Sequence, residues 1–208
     1  MSISPRPAIK SSNTRADRLA GIHILIVISS ERAGDLVKRI FLALGFTNIY
    51  IAADAVEAVQ YLRDIKLHLI VADADIKVGN SVNKNHKHIA GFDTLELSGI
   101  EFIHRLRSAK SSPAPFIPVL MLMDHARSFQ VTKARDAGVN EIVLKPLEAK
   151  NFCERIIALV DSPRPYITAP NFHGPCRRLK KGSPPATGER RRREVRLVRY
   201  DEAKGLTA

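Results

Sequence analysis

Asp73 closes the apolar run Leu67-His68-Leu69-Ile70-Val71-Ala72, and Lys145-Pro146 closes the run Glu141-Ile142-Val143-Leu144. A carboxylate and an ammonium at the carboxyl ends of two buried strands is how an open parallel α/β sheet builds a site. Such a pair can be a reactive carboxylate beside a fixed cation or a plain structural ion pair. A third run, Ile22–Val27, should finish in the same crevice. It ends in Ile28-Ser29, where acids would be needed to hold a metal. Mg²⁺ is hard and takes oxygen ligands; Ile28 has none to give and Ser29 only a neutral one.

Two more acids belong near this crevice. Asp75 lies two residues past Asp73, and Asp124 follows Met123 at the end of another apolar run. Asp73, Asp75 and Asp124 could make a displaced cation site. The expected reading is plainer: Asp75 starts a loop, and Asp124 caps the helix that begins before Ala126. Other chemistry is weakly signalled. His86 and His88, with Asn83 and Asn85, could ligate a transition metal, but they lack Cys or an acid cluster, and a solvated loop is expected. Ser29-Ser-Glu-Arg-Ala-Gly34 lacks the glycine spacing of a phosphate loop and reads as a helix start.

The elements that must position these residues alternate. Ile22–Val27 reads as a strand, and Leu36, Val37, Ile40, Phe41 and Leu44 recur at helical spacing before Gly45. Asn48–Ala52 is a strand, and Asp54-Ala-Val-Glu57 is a capping box ahead of Val56, Val59 and Leu62. Leu67–Ala72 is the third strand; Ile100, Phe102, Ile103 and Leu106 mark a helix. Phe116–Leu122, Arg127–Ala137, Ile142–Leu144 and the stripe Phe152, Ile156, Leu159, Val160 complete five strand–helix units. That rhythm implies a parallel sheet covered on both faces. Residues 76–98 break it with no apolar period, and a connection that long is functional or mobile.

The net charge of +12 is unevenly placed. Residues 1–20 carry four bases and one acid, residues 21–160 carry 17 bases and 15 acids, and residues 161–208 carry 12 bases and five acids. A nearly neutral core therefore carries a basic N-terminal arm and a basic, Pro/Arg-rich tail. The tail composition, with Arg190–Arg193, predicts disorder, with a short helix over Arg190–Val198 on binding. Basic arms favour acidic partners; Arg190, Arg191, Arg192 and Arg193 could make nonspecific polyanion contact or only solubilise the chain. No run approaches the roughly 20 apolar residues of a membrane helix, and residues 1–20 lack a signal-peptide core. Cys153 and Cys176 suggest no disulfide framework. A cytoplasmic location, no membrane contact and no enzyme activity are the expectations.

Taken in order, these residues resemble the receiver domain of bacterial two-component response regulators, over roughly 22–160. The likeness rests on Ile24-Leu-Ile-Val27, on Leu44-Gly-Phe-Thr-Asn-Ile49 leading into Ala53-Asp-Ala-Val-Glu-Ala58, and on Leu69-Ile-Val-Ala-Asp73. It continues through Ser98-Gly-Ile-Glu-Phe-Ile-His-Arg-Leu-Arg107, Pro118-Val-Leu-Met-Leu122, Ala134-Arg-Asp-Ala-Gly-Val-Asn-Glu141 and Leu144-Lys-Pro146. Arg164-Pro-Tyr and Phe172-His-Gly-Pro-Cys-Arg-Arg178 resemble the extension of some stand-alone receivers in alphaproteobacteria.

The resemblance implies a flavodoxin-like, doubly wound five-stranded parallel sheet in the order 2-1-3-4-5. It implies Asp73 as phosphoacceptor, Lys145 as the residue contacting phosphoryl oxygens, and Pro146 as the candidate cis proline. Mg²⁺ would sit between the acceptor and an acid pair. Here that acid pair falls on Ile28 and Ser29, the hydroxyl position on Met123 and the aromatic switch position on Ile142. Three of the five chemical positions are thus lost. The expectation is a degenerate receiver in a phosphorelay, docking a histidine kinase, phosphotransferase or other signalling protein, with no cofactor and Mg²⁺ weak at best. The alternatives are a phosphorylatable Asp73 with an altered metal site, or a nucleic-acid-associated protein using the basic tail.

Overall fold

A computed structural model describes residues 19, 21–76, 97–161, 164–169, 172–176 and 196–198. Five parallel strands, β1 (His23–Val27), β2 (Asn48–Ala52), β3 (Leu69–Asp73), β4 (Val119–Met123) and β5 (Glu141–Leu144), form one sheet in the order β2-β1-β3-β4-β5. The helices are α1 (Glu31–Ala43), α2 (Ala55–Asp64), α3 (Gly99–Ser108), α4 (Ser128–Asp136) and α5 (Ala149–Asp161).

The three central strands are apolar on both faces because both faces are covered. Alternation decides which face each side chain meets. Leu25, Val27, Ile70, Ala72, Val119 and Met121 pack with Val59 and Leu62 of α2 and Phe102, Ile103 and Leu106 of α3. Ile24, Ile26, Leu69, Val71, Leu120 and Leu122 face the other way, onto Val37 and Phe41 of α1 and Phe152 and Ile156 of α5. Register places Val27 beside Ala72 and Asp73 beside Leu122, so the strand ends line one crevice.

Local signals fix the helix starts. Ser30 caps α1. Asp54 accepts from the Glu57 amide at 2.9 Å, and the Glu57 carboxylate accepts from the Ala53 amide at 2.9 Å. Ser98 and Glu101 close a full capping box on α3.

The tail departs from the disorder expected of it. Strands β6 (Tyr166–Ala169) and β7 (Phe172–Pro175) form an antiparallel hairpin, and β8 (Arg196–Val198), within the stretch expected to turn helical on binding, pairs with β6. One residue accounts for much of the difference. Tyr166 is fully buried against Phe116, edge to face at 5.7 Å between centroids, so the hairpin has an apolar anchor that average composition conceals. The hairpin's backbone also comes close to the core at Gly138. A β-carbon there would lie 2.7 Å from the carbonyl oxygen of His173, and φ is +91°, so glycine is required twice over.

Candidate functional site

The carboxyl ends of β3, β4 and β5 bring three charged side chains together. Asp73 is 7% exposed. One of its carboxylate oxygens accepts from Lys145 Nζ at 2.5 Å, and the other accepts from the Asp75 backbone amide at 3.2 Å. The same ammonium reaches Asp124 Oδ1 at 3.0 Å. Backbone bonds fix this geometry: the Lys145 amide donates to Met123 O at 2.8 Å and the Ala74 amide to Leu122 O at 2.8 Å. The Lys145–Pro146 peptide is cis. Burial alone would push the Lys145 ammonium down, but hydrogen bonds and charge from Asp73 and Asp124 outweigh it and hold it above the usual lysine range.

Helix α3 presses on this corner from the other side. The Gly99 amide donates to Ala74 O at 3.0 Å. A β-carbon on Gly99 would collide with the Asp73 carbonyl oxygen, so only glycine permits this approach.

The remaining predicted positions surround the pair without adding charge. Ile28 is 2% exposed and its amide is spent on Ala52 O. Ser29 is half-buried. Met123 is 1% exposed and packs in the core, and Ile142 is half-buried against that same cluster. Asp75 is exposed and contributes its backbone amide to Asp73.

Asp124 does not cap the next helix. Helix α4 starts at Ser128 with Arg127 at its N-cap and no side-chain cap bond. Lys145, brought alongside by the β4–β5 pairing, captures the carboxylate instead. Among the described residues no group of three or more His, Cys, Asp or Glu converges as a metal site. Of the oxygen donors that Mg²⁺ would need at the crevice, the Asp73 and Asp124 carboxylates both meet Lys145, Ile28 has no side-chain oxygen, and Ser29 is neutral. His86, His88, Asn83, Asn85 and Arg190 to Arg193 lie outside the described residues.

Sequence reasoning passed over a second polar cluster, at the opposite ends of the strands. Arg107 of α3 is 4% exposed. Its guanidinium donates to the carbonyls of Pro115 at 2.7 Å, Ile117 at 2.6 Å and Gly138 at 3.2 Å, and to Asn140 Oδ1 at 3.4 Å. Tyr166 OH lies 3.3 Å from it and donates to Ile117 O at 2.9 Å, with the guanidinium carbon 5.2 Å from the ring centroid. Burial pushes the Arg107 guanidinium down and the Tyr166 phenol up. The available signal was Arg107 four residues after Ile103, a charge on the apolar stripe.

No family model matches the chain. Curated relatives do. The chemotaxis protein CheY of Pseudomonas aeruginosa is 27% identical over 133 residues, which cover 64% of this chain and 91% of that protein. The chemotaxis protein CheY-3 of Vibrio cholerae is 26% identical over 133 residues, 64% of this chain and 87% of that protein. Among solved structures, a CheY-like response regulator receiver domain protein from Methanospirillum hungatei superposes with a TM-score of 0.52 at 20% identity. It covers 67% of this chain and 94% of that one. The receiver domain of a Pseudomonas aeruginosa sensor histidine kinase, which holds a magnesium ion in its active-site cleft, has a TM-score of 0.52 at 18% identity. It covers 69% of this chain and all of that one.

The sheet order, the strand-end aspartate and lysine, and these relatives give the chain a CheY-like, receiver-like fold and support a receiver-like part in signalling. Among the described residues no helix is long and apolar enough to cross a membrane.

Proposed function

We propose that the protein is a degenerate receiver that docks protein partners in a phosphorelay, with no catalytic activity of its own and no requirement for Mg²⁺. One observation carries this reading: Lys145 Nζ bridges Asp73 and Asp124, a fixed cation where a receiver would need an exchangeable one. A dianionic phosphoryl group approaches a carboxylate only where cations neutralise the developing charge. Here one ammonium already answers to two carboxylates, and the neighbouring positions, Ile28 and Ser29, add no further charge.

The switch residues point the same way. Met123 offers a thioether, a weak acceptor that fills space in the core rather than holding a phosphoryl oxygen. Ile142 is aliphatic, so the last strand has no aromatic ring to turn. The face formed by α4, β5 and α5 is then presented in one state, and a histidine kinase, phosphotransferase or similar protein binds it irrespective of phosphodonor.

The test is to recover the partner with the wild-type chain and compare its affinity for Asp73→Ala and Asp73→Glu, with and without acetyl phosphate and Mg²⁺. Affinities within about tenfold, 1.4 kcal/mol, are expected. A larger change would show that Asp73 still switches the surface. Isothermal titration of Mg²⁺ should show no saturable site lost in Asp73→Asn.

A further inference from the structure

A pocket of about 400 Å³ opens beside β5, and the tail completes it. Arg135 of α4, Glu141 and Ile142 of β5, and Arg155 of α5 line it together with Arg164 and Pro175 from beyond α5. Two guanidinium groups, of Arg155 and Arg164, face one carboxylate there. Glu141 Oε2 accepts from Arg155 Nη1 at 2.8 Å, and Oε1 accepts from Arg164 Nη2 at 2.5 Å. Each arginine thus meets Glu141 through a single nitrogen. Arg155 Nε also donates to Asn151 Oδ1 at 3.5 Å, and each guanidinium still has a terminal nitrogen that meets no acceptor among the described residues.

A guanidinium fork matches a carboxylate or a phosphate, because two parallel N–H donors meet two oxygens; with Glu141 already answering Arg155 and Arg164, a singly charged carboxylate suits the remaining charge better than a dianion. The apolar members of the lining, Ile142 and Pro175, suit an aliphatic side chain beside that carboxylate. A nucleic-acid backbone wants a continuous track of cations; here the cations gather around one pocket and share it with Glu141. We propose that this pocket receives an acidic segment of a partner protein, a carboxylate side chain between Arg155 and Arg164 and an apolar neighbour against Ile142 and Pro175. The proposal rests on the docking reading above and supplies its chemistry. It also gives the basic segment after α5 a role in recognition, since Arg164 and Pro175 are walls of the pocket.

The test uses the full chain and a fluorescein-labelled peptide of alternating Glu and Leu, read by anisotropy. A Lys–Leu peptide and a single-stranded oligonucleotide of equal charge serve as comparisons. The Glu–Leu peptide should bind saturably and weaken as salt rises. Arg155→Gln with Arg164→Gln should weaken it at least about tenfold, as truncation of paired interfacial charges does. Glu141→Gln, which removes the competing carboxylate, should tighten it about threefold. That gain cannot come from misfolding. Absence of saturable binding, or equal binding by all variants, would overturn the proposal. So would tighter oligonucleotide binding that the arginine substitutions abolish, which would give the pocket to nucleic acid. Asp73 variants separate the two readings: peptide binding lost only in the arginine variants leaves the pocket standing even if Asp73 proves to switch.

Discussion

The two ends of the central strands each hold a cation, and they hold it differently. At the carboxyl ends, Lys145 is a quarter exposed and is answered by two carboxylates, Asp73 and Asp124. At the amino ends, Arg107 is buried and is answered by three carbonyls, an amide oxygen and a phenol, with no acid in contact. A cation among carboxylates at a rim belongs to an electrostatic device that ligands or pH can disturb. A cation sunk among carbonyls is a structural rivet, since removing it leaves buried acceptors that water cannot reach. The difference teaches where this fold is held rigid and where its charges stay open to solvent.

Arg107→Ala and Tyr166→Ala should show the largest effects. Arg107→Ala strands the buried Gly138 carbonyl, leaves Ile117 O with the Tyr166 hydroxyl alone and takes the donor from Pro115 O, so a loss of about 3 kcal/mol is expected in urea unfolding. Tyr166→Ala should cost about 3–5 kcal/mol if the cavity stays open, less where the hairpin peels away, and Tyr166→Phe only about 1–2 kcal/mol. The ordering of the two tyrosine variants separates packing from the hydroxyl network.

Lys145→Met should cost about 1 kcal/mol, because its ion pairs are partly exposed. A loss equal to that of Arg107→Ala would erase the contrast between the two ends. The Lys145 contribution should also depend on pH. Its ammonium is held above the usual lysine value of 10.5 by Asp73 and Asp124 against the opposing effect of burial. The stability it adds is therefore complete below that value and falls as pH rises through the folded-state value. Chemical denaturation of wild type and Lys145→Met should converge only in that alkaline range.

Glu101 gives the smallest effect. Hydrogen bonds from the Ser98 backbone and hydroxyl hold its carboxyl below the usual 4.5. Its stabilisation is present above that value and is lost as pH falls through the lower, folded-state one. At its exposure this amounts to at most about 0.5 kcal/mol. Glu101→Gln should remove that acid dependence and leave the rest of the profile unchanged.

The strands and helices of the receiver core were legible because their signals are local. The continuous runs of β3 and β4 announced burial on both faces, and Ser29–Gly34 and the Asp54 capping box announced helix starts. Boundaries slipped where neighbours decide them: β3 begins at Leu69 and β4 at Val119, each later than the apolar run, because pairing with β1 and β3 sets their first bonds. Asp73 beside Lys145 could be inferred from position at the strand ends. Asp124 could not, since the residue that takes it lies across β5 and competes with a cap that looked equally good. Arg107 and Tyr166 stayed hidden for the same reason. Each looks misplaced alone, a charge on an apolar stripe and a lone tyrosine between prolines and a polar tail, and each is explained only by the other.

Arg107 also bears on how the chain matures. Its partners Pro115, Ile117, Gly138 and Asn140 all follow it within the receiver core, whereas Tyr166 lies beyond α5. Synthesis delivers the chain from its N-terminus. Four of the guanidinium's acceptors therefore precede the hairpin in the order of synthesis, and only the phenol comes after α5. A chain cut after α5 should accordingly keep those four contacts, with the hairpin acting as a clasp over them.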